Sequence, residues 1–247
     1  MDLLNLDKIC DNLPKNRLNV FIFDEINSTN TKLKEISQEK EISLVLAEKQ
    51  TLGRGRHGKH WQSEDHKNVY MSLCCEKTNK IDSLSSKIGV LCANSINNII
   101  KKNIIGLKWP NDLIFKNKKV GGILIESEVM GEAKKTIIGI GINLSLSKKE
   151  SWWTDLSEFK YQVDKNIIIN KITQNFIKLI DDGMKNWHKD WENLCIHLNQ
   201  DIEVLENNKI INQGIFIGID DDGSAIVKNE NGYTNYNTQL ISIKGVY

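Results

Sequence analysis

Apolar and polar positions change rhythm once along the chain, near Leu198, and the two rhythms predict two kinds of structure. Before that point, VFIFDEINSTNTKLKEI from Val20 reads as a strand running into a helix, with Asn27 or Ser28 able to cap the first exposed backbone N–H groups. The runs LVLAE (44 to 48) and NVYMSLCC (68 to 75) read as strands. Between them lies a glycine-rich stretch. Leu84, Ile88, Leu91, Cys92, Ile96 and Ile99 recur at helical spacing, which predicts one buried face. GLKW, KVGGILIES and TIIGIGINL supply three more strands. From Asp164, a capping residue, Ile169, Ile172, Phe176, Leu179, Ile180 and Trp187 mark another amphipathic helix.

After Leu198 the short alternating runs DIEVL, GIFIGI, AIV and LISI are separated by turns such as Asp220 to Gly223 and Asn229 to Gly232. They predict a small all-β module of about five strands. The expected fold class is therefore α+β: a mixed β-sheet domain with packed helices over residues 1–198, then a β module over 199–247.

Composition narrows the function classes. The chain is 40% apolar and 26% charged, as ordinary soluble proteins are. A formal charge of +1 gives no global field to recruit nucleic acid or a membrane surface, so binding must come from local groups. MDLLNLDKICDNL lacks the basic start and long apolar core of a signal peptide, and no apolar run reaches membrane-spanning length. A cytoplasmic location is the expectation. Cys10, Cys74, Cys75, Cys92 and Cys195 are odd in number and form no CxxC, so they read as buried, inert thiols. Adjacent Cys74 and Cys75 should point to opposite faces of their strand.

Local charge chemistry is concentrated in GRGRHGKHW, Gly53 to Trp61. Of the 33 basic residues only three are arginine, and two of those, Arg54 and Arg56, stand here. Arginine's planar fork grips a carboxylate or phosphate through two parallel hydrogen bonds, which lysine cannot do. Gly53 to Lys59 satisfies GxxxxGK, but His60 replaces the Ser or Thr of a P-loop, and a strand follows in place of a helix. GIGINL (139 to 144) lacks the last glycine of a dinucleotide fingerprint. His57 and His60 have too few neighbouring ligands for a metal site. A basic surface loop touching RNA remains the simplest alternative. Two other stretches weigh against it. KWPND puts Lys108 on a strand just before a turn-fixing proline, and KVGGIL sets paired glycines in a strand, where they suit a close approach by a backbone or a ligand.

STN at 28 to 30, Gln50 before GRGRHGKHW, KWPND, KVGGILIE and GIGIN occur in the order seen in biotin protein ligases, and the chain resembles that family from about Phe21 through Asn143. The β module resembles the family's SH3-like C-terminal domain. His57 and Lys59 stand where the family usually has arginine, and NTQLISIKGVY departs from its usual ending.

The resemblance implies a two-step reaction. Biotin's carboxylate attacks the α-phosphate of ATP to give biotinyl-5'-AMP and pyrophosphate, and a lysine of a biotin carboxyl carrier protein then displaces AMP. It also implies biotin contacts from Ser28, Thr29, Asn30, Gln50, Arg54, Gly55, Arg56, Lys108 and Gly122. ATP contacts would come from Gly53, Arg54, Arg56, Lys59, Trp61 and Asn143, with Lys108, Arg54 and Arg56 as the catalytic cations. Trp61 is equally readable as a core residue, and Ser28 as a simple helix cap. Mg²⁺ is expected with ATP, with Asp112, Glu126 and Glu128 as unranked candidates for holding it. Since these residues all precede Leu198, the β module is expected to matter more for transfer than for adenylation. The rival readings are a lipoate or octanoate ligase and a biotin-binding regulator without turnover. About 20 residues before Phe21 are too few for a DNA-binding helix-turn-helix domain. No DNA or membrane partner is expected, and a homodimer stays open.

Overall fold

The computed structural model describes residues 3–64, 66–130, 133–147, 150–160, 163–237 and 241–244. A short helix α1 (Leu6–Ile9) leads to strand β1 (Leu18–Ile26), helix α2 (Thr29–Glu35) and strand β2 (Ile42–Gln50). Strand β3 (Val69–Cys75), helix α3 (Leu84–Ile100), and strands β4 (Gly106–Lys108), β5 (Asp112–Phe115), β6 (Lys118–Met130) and β7 (Ala133–Ile142) follow. These form a seven-stranded sheet in the order β1-β2-β3-β7-β6-β5-β4. It is mixed, because β1 and β2 pair in parallel while the other pairs are antiparallel.

The sheet is covered on both faces, which is why its central strands are apolar at nearly every position. Leu44, Leu46, Leu73 and Cys75 join the main core that also holds the buried faces of α3 and of the long helix over residues 165–182, whereas Val45 and Cys74 pack with Ile137 and Leu33 of α2 on the other face. Adjacent Cys74 and Cys75 thus point to opposite faces, as period-two alternation requires. All five thiols are unpaired, and four are buried. Cys195 is half-buried, with burial pushing its thiol up to about 12.

Helix α4 (Lys165–Asp182) begins where expected: the Asp164 side chain accepts from the Asn166 N–H. It does not reach Trp187. Gly183, at φ 71°, ends the helix, and Trp187 opens a separate helix α5 (Trp187–Leu194), in which Trp187 and Trp191 are buried one turn apart. The apolar spacing alone runs straight through this break.

Strands β8 (Asp201–Glu206), β9 (Lys209–Ile219), β10 (Ala225–Asn229), β11 (Gly232–Tyr236) and β12 (Ile241–Lys244) form a second, antiparallel sheet in the order β11-β10-β9-β8-β12. Of the final segment NTQLISIKGVY, residues 238–240 and 245–247 lie outside the described residues. The second sheet is docked on the first. Trp109 donates its indole N–H to the Gly223 oxygen at 3.0 Å, and the His197 ring packs tilted against Phe216, centroids 4.2 Å apart. No helix among the described residues is long and apolar enough to cross a membrane.

Candidate active site

Between α2, the glycine-rich loop and the β4–β5 turn lies a cavity of about 540 Å³. At one end α2 presents its N-terminus. Ser28 occupies the cap position without a side-chain cap bond, so its side chain is left to line the cavity. The Thr29 N–H and hydroxyl both donate to Gln50 Oε1, at 2.8 and 3.1 Å, and Gln50 Nε2 donates to Ser63 Oγ at 3.1 Å. Ser72 Oγ lies 2.7 Å from Thr29 Oγ1 and 2.5 Å from Asn30 Oδ1. Ser28, Thr29, Asn30, Gln50 and Ser72 are all buried, so this end is a fixed polar array.

Three glycines, Gly122, Gly139 and Gly141, stand where the sheet lines the cavity. Gly122 and Gly141 face each other across β6 and β7, and a Cβ at Gly141 would come within 2.6 Å of the Trp61 ring. A Cβ at Gly139 would come within 2.4 Å of Asn30 Oδ1. Of the paired glycines of KVGGIL, Gly121 is approached by the Gly141 main-chain oxygen, 2.8 Å from where a Cβ would stand, and Gly122 by the Trp61 ring at 3.2 Å. Trp61 is therefore a cavity wall, and its buried indole N–H has no acceptor among the described residues.

Lys108 ends β4, and a cis Trp109–Pro110 bond follows it. Its side chain is buried and faces the cavity. Burial pulls its ammonium down to about 8, a shift that Asp112 opposes and that Lys119 and Lys59 add to. Arg56 is also desolvated; burial lowers its pKa against the pull of Asp112, and a guanidinium stays charged regardless. It reaches Asn111 Oδ1 at 3.4 Å and the Ile241 oxygen at 3.2 Å. Six lysines and arginines line the cavity (Arg54, Arg56, Lys59, Lys108, Lys119 and Lys244) against one carboxylate, Asp112, which pairs with Lys119 at 2.6 Å. A chain of near-zero net charge thus carries a local excess of cations in this hollow, which suits an anionic ligand.

Twelve of the residues expected to touch biotin or ATP line this cavity: Ser28, Thr29, Asn30, Gln50, Arg54, Gly55, Arg56, Lys59, Trp61, Lys108, Gly122 and Asn143. Gly53 does not. It backs the loop, accepting from the Trp61 N–H at 2.9 Å, with no room for a side chain. The two arginines also part company: Arg54 turns to Glu126, at 2.9 and 3.1 Å, and Arg56 to the second sheet. Of the carboxylates considered for Mg²⁺, only Asp112 lines the cavity, and no three His, Cys, Asp or Glu converge among the described residues.

Several lining residues had not been singled out beforehand. Leu205, Ser242, Ile243 and Lys244 come from the second sheet, so the cavity's lining extends beyond Leu198. Trp152 and Trp153, packed edge to face at 4.7 Å, close another side. Ser72 carried a faint signal as the one serine in a strand run of apolar and aromatic residues.

Two family models match the chain in succession: the biotin/lipoate A/B protein ligase family over residues 22–143, and the biotin protein ligase C-terminal domain over 197–245. The bifunctional ligase/repressor BirA of Escherichia coli (strain K12) is 28% identical over 244 residues, covering 93% of this chain and 75% of that protein. The biotin–[acetyl-CoA-carboxylase] ligase of Paracoccus denitrificans is 25% identical, covering 76% of this chain and 85% of that one. Among solved structures, the biotin protein ligase of Aquifex aeolicus in complex with biotin and ATP superposes with a TM-score of 0.77 at 26% identity, over 92% of this chain and 98% of that one. By both models in order, and by the shared fold, the chain belongs to the biotin protein ligase family.

Proposed function

We propose that the chain activates biotin with ATP as biotinyl-5'-AMP and transfers it to a lysine of a biotin carboxyl carrier protein. The observation that carries this reading is the single cavity, polar and neutral at the α2 end and cationic at Lys108 and Arg56. Biotin has the matching asymmetry: a ureido ring that exchanges hydrogen bonds and a carboxylate that must meet a phosphate.

In the first step a carboxylate oxygen bonds to the α-phosphorus and pyrophosphate leaves with the electron pair of the broken P–O bond. Two anions approach each other, so fixed cations are the main requirement. Lys108, buried and facing the cavity, would bridge the carboxylate and the phosphate, and Arg56 would hold the mixed anhydride once formed. Lys59, Asn143 and the Trp61 N–H, which has no acceptor among the described residues, are assigned to the nucleotide side, and Ser28, Thr29, Asn30, Gln50, Gly55 and Gly122 to the biotin side. Asp112 is the lining carboxylate that would help hold a Mg²⁺ carried by the ATP phosphates, which supplies charge neutralisation; such ions keep few protein ligands. In the second step the carrier's neutral lysine amine attacks the biotinyl carbonyl, AMP departs on its phosphate oxygen, and the amine loses a proton.

A lipoyl or octanoyl chain is the weaker fit, because it would cover the buried polar array around Thr29 and Gln50 with groups that cannot pair with it. We place the activity in the cytoplasm with the carrier as macromolecular partner. DNA takes part in no step, and the cavity's assembly within one chain neither requires nor forbids a homodimer. The direct test is to incubate the chain with biotin, ATP, Mg²⁺ and a carrier domain. The carrier should gain the mass of one biotinyl group on a single lysine; an unmodified carrier would refute the assignment.

A further inference from the structure

One carboxylate outside the cavity gathers more partners than any role assigned above requires. Glu126 lies on β6, two residues beyond Leu124, and does not line the cavity itself. Asn30 and Lys34, at i and i+4 on α2, both reach it: Asn30 Nδ2 donates to Oε2 at 2.8 Å and Lys34 Nζ to Oε1 at 3.2 Å. From the glycine-rich loop Arg54 Nη2 reaches both oxygens, at 2.9 and 3.1 Å. The side chain is 24% exposed. Burial works against its charge, yet the donors from Asn30, Arg54 and Lys34 outweigh this and hold the carboxyl below its usual range.

The consequences are geometric. Because Asn30 gives its amide N–H₂ to Glu126, its Oδ1 is turned to Ser72, which fixes the residue beside Thr29. Because Arg54 is neutralised and tethered here, the residues that follow it in the loop start from a fixed point. We propose that Glu126 is a positioning residue that pins the glycine-rich loop, through Arg54, to the same α2–β6 surface that orders the biotin end of the cavity. Arg54 then serves as the loop's anchor, and Arg56, two residues on, as the cation presented to the reacting groups. The anchor itself follows from geometry alone; its effect on biotin rests on the function proposed above.

The test has two arms. In the free protein, hydrogen exchange of residues 53–64 should rise to the same extent in Glu126→Gln, Arg54→Met and the double variant. Lys34→Met, which removes another cation from the same carboxylate, should leave the loop unchanged. An unaltered loop in Glu126→Gln, or a double variant that exchanges faster than either single one, would overturn the proposal. In turnover, Glu126→Gln should raise the biotin KM about tenfold, as expected for a lost contact coupling, with kcat held within about twofold. The same change should have no further effect on KM in the Arg54→Met background, and a multiplicative effect there would overturn the link. If the loop responds as described while wild-type protein turns over no biotin, the anchor stands and the biotin assignment falls.

Discussion

Arg56 donates a hydrogen bond to the main-chain oxygen of Ile241 at 3.2 Å, joining the glycine-rich loop to the last described strand across 185 positions of sequence. With Leu205, Ser242, Ile243 and Lys244 also lining the cavity, the second sheet is part of the site's wall. A chain ended at Tyr236 should therefore lose adenylation as well as transfer. A contact to a charged donor stabilises by roughly 1.5–3 kcal/mol, so biotinyl-AMP synthesis should fall about tenfold or more. Adenylate formation is measured directly, with folding checked by thermal melting. A folded chain that makes adenylate normally and fails only in transfer would contradict this assignment.

Lys108 predicts a pH dependence. Its ammonium is held down to about 8 by burial, so the charge that would attract biotin's carboxylate is present below that pH and lost above it. Biotin affinity should be level below pH 8 and weaken above it, by up to about tenfold per pH unit. Titration calorimetry across the range checks the sign. Lys108→Ala should abolish the inflection and cost adenylation about 2.7–4 kcal/mol, the scale of one lost transition-state donor.

Arg17 and Arg56 each donate from both terminal nitrogens, whereas Arg54 reaches Glu126 through Nη2 alone. Arg17 pairs with Asp181 through both terminal nitrogens, at 2.8 and 2.7 Å, and with Glu41 through Nε. Arg56→Lys keeps the charge and loses the fork. Retention of biotinyl-AMP should weaken by roughly 1–3 kcal/mol, read as faster adenylate dissociation and labelling of a bystander protein. Lys59→Arg, at an exposed position on the cavity rim, should be tolerated.

Stability has its own weak point in a fully buried ion pair. Lys165 Nζ bonds Glu48 Oε2, and Glu48 also accepts from the Leu4 N–H at 2.6 Å, tying the start of the chain to α4 and β2. Lys165→Met leaves a buried carboxylate without its cation and should destabilise the fold by about 3–5 kcal/mol in denaturant melts. Lys165→Met together with Glu48→Gln should recover part of that loss.

Much of the site was readable because its parts are contiguous motifs: STN, GRGR, KWPND and the glycines of KVGG and GIGIN each deliver a whole wall. The unread parts depend on partners far away in sequence. Nothing local to Glu126 indicates that Asn30, Lys34 and Arg54 will meet it, and ISIK at 241–244 reads as an ordinary strand until Arg56 reaches it. Local pattern also misled where it continued past a backbone event, as at Gly183. It was silent for GYTNY, whose residues are mostly exposed on an edge strand and show no apolar alternation.

The most direct measurement is pyrophosphate release from ATP by the purified chain with no carrier present. Release should be negligible with ATP alone, appear on addition of biotin, and stay near background with lipoate or octanoate, because the polar array around Thr29 and Gln50 pairs with a ureido ring and not with an alkyl chain. Release driven equally by lipoate or octanoate, or independent of any acid, would contradict biotin activation at this cavity.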